Sequence, residues 1–364
     1  MKKMGIVSAA AAVMTLAAAL TGCGSTEDKA VGKDIRLPEK PVPHSMPTVM
    51  TASDTIRNEE WYAQFCEAVM NCQSEFTVNA KISNNAIEGA LALVKSDLPE
   101  FFWLGSTYSA VTASDGAKVK IEINEDIDTE DIPVMLEELE AAARKCIAGI
   151  PDNADTYETV LYVHDYIVEN TDYDYAAVKS HKRGLVHSAY GCLVEGSAVC
   201  EGYAEAFTYI MNAVGIESGV CTGSNHAWNY VNIDGDYYWL DATWDDDDGK
   251  EPEHDYFLFT DEQLLRSRTF DYVQADKPEC TAASANYYVK NDCFFEKYSE
   301  DEIIDFIGDN IGSGKCEMMF GSFEEYDAAV KALFAEEKIK KADGVSGYQY
   351  YYNDNMFTIR IENN

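Results

Sequence analysis

Val199-Cys200-Glu201-Gly202-Tyr203-Ala204 opens the stretch on which the fold turns, and apolar residues continue at Phe207 and Met211 until Gly215. That spacing predicts a helix that Gly215 stops, with Cys200 in its first turn. Unpaired N–H groups and the positive end of the helix dipole favour a thiolate there, which a nucleophilic cysteine needs because its ordinary pKa of about 8.5 is too high. The nearest downstream histidine, His226, lies in a predicted strand from Asn225 to Ile233. Asp234-Gly235 is a type I′ turn signal, and a returning strand is expected from Asp236 to Thr243. With Ile233 opposite Asp236, Trp228 faces Asp241 and His226 faces Thr243, which sets Asp241 diagonal to His226 at about 7 to 8 Å between backbone positions. Nucleophile, base and orienting acid are thus expected in the order Cys200, His226, Asp241.

Two more motifs accompany the first: Asn225-His226-Ala227-Trp228-Asn229 and Tyr238-Trp239-Leu240-Asp241-Ala242-Thr243-Trp244. Together, with separations of 26 and 15 residues between cysteine, histidine and aspartate, they are far more specific than any one alone. At these residues, from about Tyr157 to Phe259, the sequence resembles the transglutaminase-like superfamily of papain-type thiol enzymes. The resemblance implies an α+β fold, a papain-like core in which the cysteine helix packs on an antiparallel sheet, and it gives Cys200, His226 and Asp241 their catalytic roles. Tyr256 to Asp261 resembles the family's closing strand and turn. Tyr203, Trp228 and Trp239, with Trp244, are the candidate substrate-gripping aromatics, although such residues equally fill cores.

Composition narrows the rest. The chain has 364 residues, 28 Lys plus Arg against 64 Asp plus Glu, and a formal net charge of -36. No basic stripe is present that could neutralise phosphates, so nucleic acid is excluded as a partner. Met1, Lys2 and Lys3 precede an apolar run from Met4 to Leu20, which ends in Leu20-Thr21-Gly22-Cys23. This resembles a bacterial lipoprotein signal, which implies cleavage before Cys23, diacylglycerol on its sulfur and an extracytoplasmic protein anchored to a membrane. Residues 1–22 read as the signal peptide and 23–55 as a tether, stiffened by Pro38, Pro41, Pro43 and Pro47.

Residues 56–129 read as helix, strand, helix and two strands, with Trp61, Phe65, Val69 and Cys72 on one helix face and an Asp115-Gly116 turn between the last strands. Residues 276–364 repeat that order, and the catalytic core is assigned to 130–275. The expected architecture is therefore this core flanked by two small α/β modules. Within the core, a helix is expected from Asp131 to Ala148, and a second starts at Asp155 with Glu158 as its capping-box partner. His164 on the second helix reads as a satisfied core histidine. The acidic run Asp245 to Asp248 reads as a solvated turn, since it lacks the alternating ligands and terminal glutamate of an EF-hand loop.

The function expected is acyl transfer on peptide or glutamine-type amides, including cell-wall peptide, through a Cys200 thioester, with hydrolysis favoured over amine crosslinking. The Cys200 backbone N–H is the natural oxyanion donor, and Tyr190 is a weak candidate for a second. No metal and no cofactor are expected: a zinc set of Cys192, Cys200, Cys221 and His226 lacks the close Cys-x-x-Cys pair of structural sites. The rival from another class is a non-catalytic surface module that grips peptide or cell-wall polymer. Eight further cysteines permit disulfides without requiring them.

Overall fold

The computed structural model describes residues 56, 59–180, 184–247, 251–270, 277–345 and 347–363, so the apolar start, Cys23 and the proline-rich tether lie outside it. The described residues fall into two compact units. One takes those of Met1–Gly235, Asp241–Pro252 and Phe270–Pro278, and the other Asp236–Leu240, Glu253–Thr269 and Glu279–Asn364. The division differs from the expected boundaries, because the first module and the cysteine-bearing segment share a unit. Among the described residues no helix is long and apolar enough to cross a membrane.

The first unit begins with helix α1 (Glu60–Met70), whose Trp61, Phe65 and Val69 are buried as the helical spacing predicts; Cys72 falls beyond its end and is half-buried. Strand β1 (Glu75–Val78), helix α2 (Asn84–Asp97), and strands β2 (Leu104–Thr112) and β3 (Ala117–Ile123) follow. Phe65 packs edge-on against Phe76 of β1 at 5.1 Å. The Ser83 side chain caps α2 by accepting from the Ala86 N–H. The strands form an antiparallel sheet of order β1-β3-β2.

Helix α3 (Ile132–Ala148) is followed by α4 (Thr156–Asn170), which opens with both halves of the Asp155/Glu158 capping box. Strand β4 (Asp172–Tyr173) and helix α5 (Tyr175–Ser180) lead to a π-helical turn at Gly191–Glu195, which ends in left-handed Gly196 (φ 66°). Strand β5 (Ser197–Ala198) then pairs in parallel with β4, Tyr173 opposite Ala198. Helix α6 (Cys200–Val214) runs until Gly215, whose φ of 79° lies in the left-handed region that favours glycine. Strands β6 (Ser218–Gly223) and β7 (His226–Ile233) form a hairpin with Gly223 opposite His226. Its two turn residues, Ser224 and Asn225, both have positive φ (52° and 61°). Asp234 and Gly235 after β7 do likewise (54° and 104°), as the type I′ signal predicts.

The second unit contains β8 (Asp236–Leu240) antiparallel to β9 (Phe257–Phe259), and short helices α7 (Asp261–Leu264) and α8 (Tyr287–Lys290). Strand β10 (Phe294–Phe295), helix α9 (Glu300–Asn310), strand β11 (Lys315–Phe320) and helix α10 (Phe323–Val330) follow, then strands β12 (Tyr348–Asn353) and β13 (Thr358–Asn363). Ile303, Ile307, Met318, Leu333, Ile359 and Ile361 fill this module's core. Its sheet runs β10-β11-β13-β12. Apart from β10, both modules share one plan, helix-strand-helix-strand-strand with the last strand between the other two, so the repeat read from element order extends to strand pairing. The whole is α+β: helices packed with mainly antiparallel sheets.

Candidate active site

Cys200 is the first residue of α6 and is half-buried. Its backbone N–H makes no backbone hydrogen bond among the described residues, so it is available at the positive end of the helix. Two features bring α6 close to the hairpin. Ala204, Val220 and Ala227 pack together with Cys200 against them, small side chains that let helix and sheet approach. Asn229 of β7 is buried and its amide donates to the Ala204 carbonyl (2.9 Å), the Thr208 hydroxyl (3.0 Å) and the Gly219 carbonyl (3.4 Å). That clip ties the helix of Cys200 to the strand of His226. Gly202 serves the same closeness on the other side, since a β-carbon there would lie 2.8 Å from both the Ala198 methyl and the Val186 carbonyl oxygen.

His226 opens β7, and its Nε2 lies 2.7 Å from Oδ2 of Asp241. The acid is 1% exposed and the imidazole 12%. Asp241 does not belong to a strand: β8 ends at Leu240, short of the expected Thr243. The strand stops because the Asp241 side chain takes over the local backbone donors, Oδ1 accepting from the N–H groups of Thr243 (3.1 Å) and Trp244 (3.2 Å). Oδ1 thus fixes the turn while Oδ2 holds the ring. With Nε2 engaged, Nδ1 is the nitrogen left for proton transfer with the Cys200 thiol. Burial works against a charged imidazole, but the Asp241 carboxylate, and after it the Cys200 side chain, outweigh it and lift the pKa to about 9. The ring is therefore protonated at neutral pH, next to a thiol at a helix start.

Aromatic rings hold the imidazole in plane. Trp228 and Trp244 stack on it at 6.1 and 5.3 Å. Trp244 is 38% exposed, whereas the three expected substrate contacts, Tyr203, Trp228 and Trp239, are at most 1% exposed. These three fill the interior and offer a ligand no surface. The Tyr203 hydroxyl donates to the Thr171 carbonyl and to Asp246, and the Trp239 indole N–H to Asp261. Tyr190 is also committed elsewhere, its hydroxyl donating to Glu138 at 2.5 Å, so it supplies no oxyanion donor. Tyr173 was not singled out in the sequence; β4–β5 pairing carries it alongside Ala198, and burial first, then the charge of Cys200, pushes its hydroxyl up to about 12.

None of the nine described cysteines is joined in a disulfide. Burial pushes Cys146, Cys192, Cys221, Cys293 and Cys316 up to about 12, which makes them inert at neutral pH. The described part of the acidic run, Asp245 to Asp247, is not the solvated turn expected. Asp245 is fully buried, its Oδ2 lying 3.2 Å from His164 Nε2, and Asp246 accepts from Tyr203 at 2.5 Å. His164 is buried as expected, with Asp165 at 2.8 Å on its other nitrogen. Burial opposes its charge, but the two carboxylates prevail and raise its pKa to about 9.

Residues 140–249, which hold the cysteine, the histidine and the aspartate, match the Transglutaminase-like superfamily. Among solved structures, the chain is similar to a candidate cysteine protease from Cytophaga hutchinsonii (16% identity, TM-score 0.25), over 38% of this chain and 61% of that one. It is also similar to a structure described as a TGase (14% identity, TM-score 0.27), over 46% of this chain and 50% of that one. The chain thus spans between half and two thirds of the length of these proteins. No curated protein matches it. The family match is thus a likeness of residues 140–249 to the transglutaminase-like superfamily, and it takes in Cys200, His226 and Asp241.

Proposed function

We propose that the protein is a lipid-anchored, extracytoplasmic thiol enzyme that cleaves peptide or glutamine-type amide bonds, cell-wall peptide included, by acyl transfer through Cys200. The observation that carries this reading is the 2.7 Å contact of His226 with Asp241 beside a cysteine at a helix start. The Cys200 thiolate adds to the carbonyl carbon, and the carbonyl π pair moves onto oxygen, which the Cys200 N–H faces. Collapse of this oxyanion breaks the C–N bond while the His226 imidazolium gives its proton to the departing amine. A thioester and a neutral imidazole remain. Water, deprotonated by His226, then adds to the thioester, and the thiolate leaves with the acid product.

Hydrolysis is favoured over crosslinking because water is the concentrated acceptor. A net charge of -36 further favours neutral or cationic substrates over acidic ones. The anchor would be lipid on Cys23, supported by the Leu20-Thr21-Gly22-Cys23 pattern.

Intact-mass spectrometry of the protein incubated with glutamine-containing peptides, with and without a primary amine, tests the proposal. An acyl adduct on Cys200 that resolves to free acid in both reactions is expected. Amine incorporation as the main product would replace hydrolysis by crosslinking. Peptide retention without any adduct or product would favour the non-catalytic binding module.

A further inference from the structure

We propose that the buried pair of His164 and Asp245 is a positioning latch, which fixes the segment from Asp241 to Asp247 so that the Asp241 carboxylate meets His226. This rests on the enzymatic reading above and names what holds that site's acid in place.

The segment contains no helix or strand, so no ladder of backbone bonds locates it. Inside it, Asp241 Oδ1 organises Thr243 and Trp244. Two of its attachments come from Asp245 and Asp246. Asp245 reaches His164 of α4, and Asp246 accepts from Tyr203, three residues after Cys200 on α6. The acid that holds the base is thereby referenced to the helix that carries the nucleophile. The imidazole of His164 is itself fixed at Nδ1 by Asp165, so both ring nitrogens face carboxylates. Only a protonated ring donates from both. His164 and Asp245 are both fully buried, and a buried ion pair adds little stability over an apolar pair of equal volume. What an apolar pair cannot supply is direction: a single bond geometry one residue from Trp244 and four from Asp241. Misplacement of such a group by about 1 Å costs on the order of 10²-fold in rate.

The test follows the titration of His226 by NMR of ring-labelled histidine, assigned by its loss in His226→Ala, in the wild type, His164→Gln and Asp245→Asn, with thermal melting in parallel. The wild-type inflection is expected well above 6.5. In both variants it should fall by at least about one pH unit as Asp241 leaves the ring, and Cys200 alkylation at pH 7 should slow by about tenfold or more. Asp245→Asn keeps the shape of the side chain and carries the test if His164→Gln does not fold. A folded variant with an unchanged His226 inflection overturns the latch, whatever its melting temperature. A wild-type inflection near 6.5 would instead remove the Cys200–His226–Asp241 reading on which the latch rests.

Discussion

His226 and His164 present the same pair chemistry in two settings. Each imidazole holds an aspartate, the two acids are Asp241 and Asp245, and burial opposed by carboxylates brings both rings to a pKa of about 9. They differ in what else touches the ring. His226 is 12% exposed and has a thiol beside it, while His164 is sealed and has a second carboxylate. A charged imidazole with one acid and one thiol can pass a proton on. Held between two acids it can only stay charged and hold them. The comparison teaches that a shifted histidine marks a reactive site only when its remaining nitrogen faces a group that can exchange the proton.

Asn substitutions separate the two pairs most sharply. Asp241→Asn retains the shape and the Oδ1 acceptor but loses the charge, so Cys200-dependent turnover should fall on the order of 10⁴-fold, a far larger effect than its loss of stability. Asp245→Asn should lower turnover far less, by about tenfold, and should cost about 1–3 kcal/mol in urea unfolding, because one of the two acids on the buried His164 ring is neutralised while Asp165 stays. Comparable effects of both changes on both readouts would erase the distinction.

A pH series sharpens it. Both rings have folded pKa values raised above the ordinary 6.5 to about 9, so the stability they contribute is fully present below pH 6.5 and is lost as pH rises through 9. Unfolding free energy should decline over that window in the wild type and less steeply in His164→Gln; equal slopes would deny the His164 contribution. The smallest effect concerns the shared helix. Gly202→Ala pushes a methyl to 2.8 Å from Ala198 and Val186 and should cost about 1–3 kcal/mol, read from chemical unfolding.

What the sequence made legible was local. Helical periodicity after Cys200 and the Asp234-Gly235 signal were enough to locate helix, strand and turn, because each depends on residues a few positions apart. The contact of Asp241 with His226 was expected from a strand running on to Thr243; the carboxylate instead ends that strand and reaches the ring from a turn. Tyr203, Trp228 and Trp239 were expected at a groove, yet a ring's composition does not tell whether it lines a surface or fills a core, and all three are interior. The role of Asp245 was hidden for another reason. Its partner lies 81 residues earlier, and four consecutive acids look the same whether solvated or anchored.

The central claim is that Cys200 is a nucleophile whose proton is handled by His226, and the rate of Cys200 alkylation by iodoacetamide across pH tests it most directly. In the wild type, rapid labelling should persist well below pH 8.5 and lose its imidazolium-dependent phase near pH 9, while His226→Ala should label slowly until the ordinary thiol range is reached. Identical slow profiles for the two proteins, both rising only near pH 8.5, would contradict the account.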